Sequence, residues 1–299
     1  MGKRKKIISM SMLVITAFIW GTAFVAQVAG MESIGPLSFC ALRNLIAAVI
    51  MIPCTMLLDK RRRLSLEKEG TDASWSNCLT GGMACGAMLF CGTSLQQIGL
   101  QYTTAGKAAF ISSVYIVLVT VFGILRGNRM SKSVLFAVVM GTTGLYLISV
   151  KGDFTFERGD LIELASAFFW SGHILVCDKF SKRCDPLKIS CIQYLVVSLL
   201  SGVFMVIYEK PTIADIAASL FPLFYAGFFS SCIAYTFQLL SQRYVPPTTA
   251  SIIMSMESIF AAFSGMIFLG ETLTAREFIG CVLVFAATVT AQLNEIKRG

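Results

Sequence analysis

Apolar residues run along this chain in long unbroken blocks separated by short polar punctuation. Ten such blocks stand out, at about 7–30, 36–58, 77–100, 104–125, 132–150, 160–179, 187–208, 216–242, 248–269 and 276–293. A bilayer core of about 30 Å needs roughly 20 apolar residues per helix at about 1.5 Å of rise each. The blocks have that length, and they are continuous rather than alternating, which points to helices and not to barrel strands. The expectation is an all-α polytopic membrane protein with ten transmembrane helices. Little polypeptide is left for anything else: the longest polar stretch, "DKRRRLSLEKEGTDASWS" (59–76), reads as a loop.

Composition agrees. The 299 residues are 56% hydrophobic and only 14% charged, with a mean hydropathy of +0.73, outside the range of soluble domains. The first block follows Lys3, Arg4, Lys5 and Lys6, as a secretory signal would. It is too long for a signal's apolar core and nine further blocks follow, so it is expected to be a retained anchor.

The net charge of +8 raises nucleic acid as a partner, but its distribution argues otherwise. Basic residues crowd alternate loops: the N-terminal run, Lys60 to Arg63 with Lys68, Arg126 with Arg129 and Lys132, Lys179 to Lys188, Arg243, and Lys297 with Arg298. By the positive-inside rule both termini are expected to be cytoplasmic. Attraction to anionic lipid is a secondary effect. No nucleic acid is implied.

Ten cysteines stand singly, mostly within apolar blocks, with no CxxC and a single histidine in the chain. That spacing suits neither a metal site nor a disulfide framework. No phosphate-binding loop appears, nor any nucleophile–histidine–acid set, so neither ATP drive nor enzymatic chemistry is expected, and no cofactor.

One phrase is written twice. Residues 17–30 read "AFIWGTAFVAQVAG" and residues 167–180 read "AFFWSGHILVCDKF". Trp20 and Trp170 share an offset of about 150 with Pro36 and Pro186, and later blocks match at about 143, as in "LRGNRMS" (125–131) with "LGETLTA" (269–275). "LQQIGLQYTTA" likewise resembles "FQLLSQRYVPPTTA". The boundary falls at 152/153, giving units 1–152 and 153–299 of five helices each. Five is odd, so the second unit must run upside-down relative to the first. Inverted repeats of this kind are how many secondary transporters obtain two related conformations around a site near the midplane.

The repeat also carries a resemblance. "WG" (Trp20, Gly21), Pro36 with Arg43, "YTTAGKAAFISSVY" (102–115), "MES" (256–258) and "GET" (270–272) occur in order over nearly the whole chain. In this the chain resembles the EamA family of the drug/metabolite transporter superfamily. Two departures are visible: Gly127-Asn128 stands where the family often has Gly-Glu, and Tyr115 and Ser258 stand where it often has proline. The resemblance implies alternating access at a central cavity, export of metabolites, amino acids or drugs, and a cytoplasmic-membrane location. It implies a small-molecule substrate and the lipid bilayer as partners, leaves proton coupling and a homodimer open, and makes the last helix of each unit peripheral.

Ionisable groups inside apolar blocks cost about 2.5–3.5 kcal/mol or more near a helix centre unless paired or hydrated. Counted at about 1.5 Å per residue, Arg43 lies roughly 10 Å in from the outer end of its helix, Lys107 about one turn in, and Glu257 roughly 15 Å in, near the midplane. Arg43 and Lys107 suit a substrate carboxylate, Arg43 with two parallel hydrogen bonds. Glu257 suits a substrate amine or a coupling proton. Gln96, Gln97, Gln193, Tyr194, Tyr235 and Gln238 offer polar groups, and Trp20, Trp170 and Tyr115 aromatic surface, for a hydrated cavity. The plainer readings stand beside these: Lys107 reaching outer headgroups, Arg43 bridging helices, Glu257 in an interhelical pair, His173 and both tryptophans in packing. The mixture favours an amino acid or similar amphipathic solute over organic cations. A structural or signalling role is the non-transport alternative.

Overall fold

The computed structural model describes residues 2–68, 71, 74–103, 105–150, 157–269 and 272–297, with backbone alone at some of these, 105–107 among them. It is helical, without strands among the described residues. The helices are α1 (Gly2–Met31), α2 (Pro36–Lys68), α3 (Trp75–Gly99), α4 (Ala105–Ser112), α5 (Tyr115–Leu125), α6 (Lys132–Ser149) and α7 (Arg158–Ser181). They continue with α8 (Pro186–Phe204), α9 (Ile213–Ala218), α10 (Leu220–Tyr225), α11 (Thr236–Gln242), α12 (Pro247–Met254), α13 (Glu257–Leu269) and α14 (Ala275–Lys297). Two stretches wind as π-helix: Met205–Glu209 extends α8, and Ala226–Tyr235 joins α10 to α11 into one rod.

Nine helical segments among the described residues are long and apolar enough to cross a bilayer. The segment expected at 248–269 is helical too, but it is divided into the 8 residues of α12 and the 13 of α13. The 104–125 segment is divided in the same way, between α4 and α5. The cause is local. At the first division Val114 N donates to Ile111 O and Ile116 N to Ser113 O, three residues back instead of four. At the second, Met256 N donates to Ile253 O and Ser258 N to Ser255 O. In both, a serine hydroxyl is turned onto its own helix, Ser113 to Ala109 O and Ser255 to Ile252 O. Such back-bonding draws carbonyls away from the regular ladder and bends the helix.

Close backbone approach organises the packing. A Cβ on Gly144 of α6 would stand 2.7 Å from the Gly280 carbonyl of α14, and one on Gly280 would stand 2.6 Å from the Gly144 carbonyl. Only the absence of a side chain on both lets these helices touch, which is how apolar helices associate without a hydrophobic drive. Gly21 of α1 receives the Glu257 carbonyl of α13 in the same way. α3 packs along α7 and α8, α2 along α8 and the π-wound rod, α1 along that rod and α13, and α4 and α5 along α7.

The ends of α2 and α8 are tied by carboxylates. Glu209, at the far end of the α8 rod, accepts from Leu37 N (3.0 Å), Ser38 N (2.7 Å) and Ser38 Oγ (2.6 Å) at the start of α2. Free N–H groups at a helix start are suited to a carboxylate. At the opposite end Lys188 Nζ meets Asp59 Oδ1 at 2.7 Å, and Arg62 donates to Asp185 at 2.9 Å. A capping box opens α14, with Thr274 N donating to Glu277 Oε2 at 2.7 Å and Glu277 N to Thr274 Oγ1 at 3.2 Å.

Candidate functional site

The two divided helices point at one place. Tyr115 opens α5 and Glu257 opens α13, and both line a cavity between α1, α2, α3, α7 and the π-wound rod. It holds about 530 Å³ of empty space, counting the part continuous with solvent. Of the residues expected at a site, Trp20, Arg43, Gln96, Tyr115, Trp170, Tyr235, Gln238 and Glu257 line it.

Aromatic rings make one wall. Trp20 and Tyr235 stand 5.0 Å apart between ring centroids, Trp170 stacks on Tyr235 at 6.1 Å with 15° between the planes, and the two tryptophans are 6.4 Å apart. Trp20 Nε1 donates to Ser230 O at 3.3 Å, where the π-wound rod exposes that carbonyl. Trp170 Nε1 has no partner among the described residues.

Two charged side chains face this wall's cavity. The Arg43 guanidinium is 2% exposed; Nη1 donates to Gln27 Oε1 at 3.3 Å, and its Cζ lies 5.7 Å from the centre of the Phe39 ring. Its Nε has no partner, and no carboxylate pairs with it among the described residues. Glu257 is buried as well, and none of the hydrogen bonds or ion pairs among the described residues engages its carboxylate. Tyr115 Oη and Gln238 Oε1 are likewise buried without a partner among those residues. Buried polar atoms in native folds are nearly always satisfied. A cavity lined by Arg43, Tyr115, Trp170, Gln238 and Glu257 therefore offers a polar solute donors, acceptors and both signs of charge.

Three expected residues stand elsewhere: Gln97 Nε2 meets Met31 Sδ at 3.4 Å, Tyr194 Oη donates to Cys232 O at 3.4 Å, and Gln193 is the third. Gln193 faces α7 and not the cavity: its Oε1 meets His173 Nε2 at 3.2 Å, behind the aromatic wall. His173 packs edge-on against Trp170 and Tyr235, 6.1 and 6.0 Å away, so the pair buttresses the rings. The backbone of Lys107 is in α4, and its side chain lies outside the described residues.

Sequence reasoning missed Phe24, Gln27, Ser112, Ile174, Ser230 and Met254, which also line the cavity. Gln27 was findable as a lone amide in an apolar block. Phe24 and Ile174 were findable as partners at the repeat's offset of about 150. Ser112, Ser230 and Met254 carry no signal that separates them from packing residues. Glu163, an acid in the second turn of α7, was passed over although an ionisable group in such a block is itself a signal.

Comparison with known proteins places the chain. The sequence profile of the EamA-like transporter family matches residues 7–150 and 157–291. An uncharacterized transporter of Archaeoglobus fulgidus is 27% identical over 283 residues, 94% of this chain and 85% of that one. The threonine/homoserine exporter RhtA of Salmonella typhimurium is 28% identical over 170 residues, 54% of this chain and 55% of that one. A solved crystal structure superposes with a TM-score of 0.76 at 16% identity, covering 97% of this chain and 98% of the other, which speaks to the fold alone. With two family matches that together take in nearly all of its helices, this multi-pass membrane protein belongs to the EamA-like transporter family.

Proposed function

We propose that the protein exports amino acids or closely similar zwitterionic solutes by alternating access, with Arg43 taking the carboxylate and Glu257 the ammonium group. The observation that carries this is the pairing of a buried guanidinium and a buried carboxylate on one cavity, each without a countercharge among the described residues. Opposite fixed charges on a site select a solute carrying both signs and reject one carrying either alone. The aromatic wall suits an aliphatic or aromatic side chain between them. That RhtA is a threonine/homoserine exporter is consistent with this class.

The architecture we infer is ten membrane-crossing segments in two inverted units, 1–152 and 153–299, with both termini cytoplasmic. Exchanging the units takes α1 to α7, α2 to α8, α3 to the π-wound rod, α4–α5 to α12–α13 and α6 to α14. The principal contacts obey that exchange: α3 with α7 corresponds to the rod with α1, and α3 with α8 to the rod with α2, while α2–α8 and α6–α14 map onto themselves. Even single contacts do so. At the offset of about 150, Ser38 with Glu209 becomes Lys188 with Asp59, and both pairs are present. Trp20 with Trp170, Phe24 with Ile174 and Gln96 with Gln238 are further counterparts facing the same cavity.

A second reading draws on the aromatic wall beside Glu257, which is also how organic cations are held. Proteoliposome counterflow of radiolabelled L-threonine separates the two. On the zwitterion reading Arg43→Ala and Glu257→Gln each weaken it by roughly 10- to 100-fold, as expected for losing a hydrogen-bonded charge contact. On the cation reading L-threonine is a poor substrate, and a quaternary ammonium is carried with Arg43 dispensable.

A further inference from the structure

A second acid stands beside the cavity without lining it. Glu163 of α7 is completely buried, and Gly99 of α3 leaves it room: a Cβ there would stand 2.6 Å from Glu163 Oε1. Its Oε2 accepts from Ser112 Oγ at 2.8 Å and lies 3.3 Å from Ser166 Oγ, whose hydrogen is also directed at the Glu163 carbonyl, 2.8 Å away. Its Oε1 has no partner among the described residues. Ser112 does line the cavity, and its Oγ also accepts from Gln96 Nε2 at 3.1 Å, another cavity residue. Glu163 is thus joined to the binding space by a single hydroxyl.

That hydroxyl has one hydrogen. While Glu163 is ionised, Ser112 spends it on Oε2. A protonated Glu163 instead donates to Ser112 Oγ, which then accepts from both Glu163 and Gln96. Its own hydrogen is free to turn into the cavity and meet a solute's acceptor. One proton has entered from water onto Glu163, and no other bond has changed.

We propose that Glu163 is a proton-binding site coupled to solute binding through the direction of the Ser112 hydroxyl. The proposal rests on the substrate reading above for the identity of the solute, but not for the protonation of Glu163. By reciprocity, a proton that favours the solute is itself favoured by the solute. The surroundings leave few rivals for the role. On its own helix the next acid is Asp160, which accepts from Thr103 Oγ1 (2.7 Å) and Glu157 N (2.9 Å). α3 presents Gln96 and Gly99 and, at its end, Tyr102, whose ring is covered by Arg158. α4 presents Ser112, the side chain of Lys107 lying outside the described residues. Across the cavity the titratable and charged groups are Arg43, Glu257, Tyr115 and Tyr235.

Two measurements test this, and only one needs a solute. In proteoliposome counterflow, wild-type affinity for L-threonine is expected to fall by about 10-fold or more as the pH is raised through the titration of Glu163, the size of one charge-assisted hydrogen bond. Glu163→Gln, whose amide donates to Ser112 as the protonated acid would, is expected to bind tightly with a flat pH profile. Ser112→Ala is expected to bind weakly, also with a flat profile. The second is an infrared titration of the purified protein without solute, in which wild type shows a titrating carboxyl C=O band that is absent from Glu163→Gln and displaced in Ser112→Ala. A band at Glu163 with no L-threonine counterflow in wild type upholds the proton site and sinks the substrate reading. A Glu163→Gln variant that keeps the wild-type pH profile, or a wild-type spectrum with no Glu163 band at any pH, overturns the proposal.

Discussion

The two halves of this protein agree in their walls and disagree in their charges. Trp20 and Trp170, Phe24 and Ile174, and Gln96 and Gln238, matched along the sequence, all line one cavity. Arg43, by contrast, has Gln193 at its offset of about 150, and Gln193 is turned away onto His173. Tyr115 and Glu257 open their helices at equivalent divisions, yet one is a phenol and the other an acid. On the architecture and solute proposed above, walls built from both units survive their exchange, whereas reading a solute's two unlike ends needs unlike groups, and those are the positions at which the halves differ.

Substitution tests that contrast, most strongly at the unmatched charges. Arg43→Ala and Glu257→Gln are expected to reduce L-threonine counterflow by roughly 10- to 100-fold, while Gln193→Ala, at the position matching Arg43, changes it by less than about 3-fold. Equal effects at Arg43 and Gln193 would make the halves functionally alike. Next come Gly144→Leu and Gly280→Leu, which force the self-matched α6–α14 contact apart. Each should lower stability by about 1–3 kcal/mol in thermal denaturation while leaving flux per folded molecule unchanged. A smaller difference separates the tryptophans. Trp170→Phe removes an indole N–H left for the solute and should weaken binding by about 5-fold, whereas Trp20→Phe removes a hydrogen bond to Ser230 within the protein and should cost less binding.

Smallest of all is an effect in the connection before α10, where the second half has α9 and the first half has its basic stretch. Asp215 caps α9 with Thr212, whose hydroxyl and backbone N–H hold its carboxyl below the usual carboxylate range. A depressed folded value means that the cap's contribution is present above the unfolded value and is lost as pH falls through the folded one. Amide protection in Ile213–Ala218, taken relative to the intrinsic exchange rate, should therefore fall on acidification in the wild type, and Asp215→Asn should remove that pH dependence.

Much of this was legible in the residues. Blocks of the right length announced the helices, and rare ionisable or amide groups in apolar surroundings marked Arg43, Glu257, Gln96 and Gln238, which line the cavity. Helix division was not legible, because the serine back-bonding that accompanies it at Ser113 and Ser255 also occurs elsewhere in these helices without division. Side-chain direction was not legible either: Gln193 has the chemistry of a cavity residue but sits on the face of α8 that meets α7. An apolar member such as Met254 looks like any other packing residue until its neighbours are known.

The claim that Arg43 and Glu257 read opposite ends of a zwitterion is tested most directly by competition with blocked solutes. L-threonine methyl ester lacks the carboxylate, and N-acetyl-L-threonine lacks the ammonium group. Wild type should prefer L-threonine to both in counterflow competition. Arg43→Ala should lose its preference over the ester alone, and Glu257→Gln its preference over the acetyl derivative alone. If each substitution instead weakens all three solutes in equal proportion, the two charges hold the fold and not the solute.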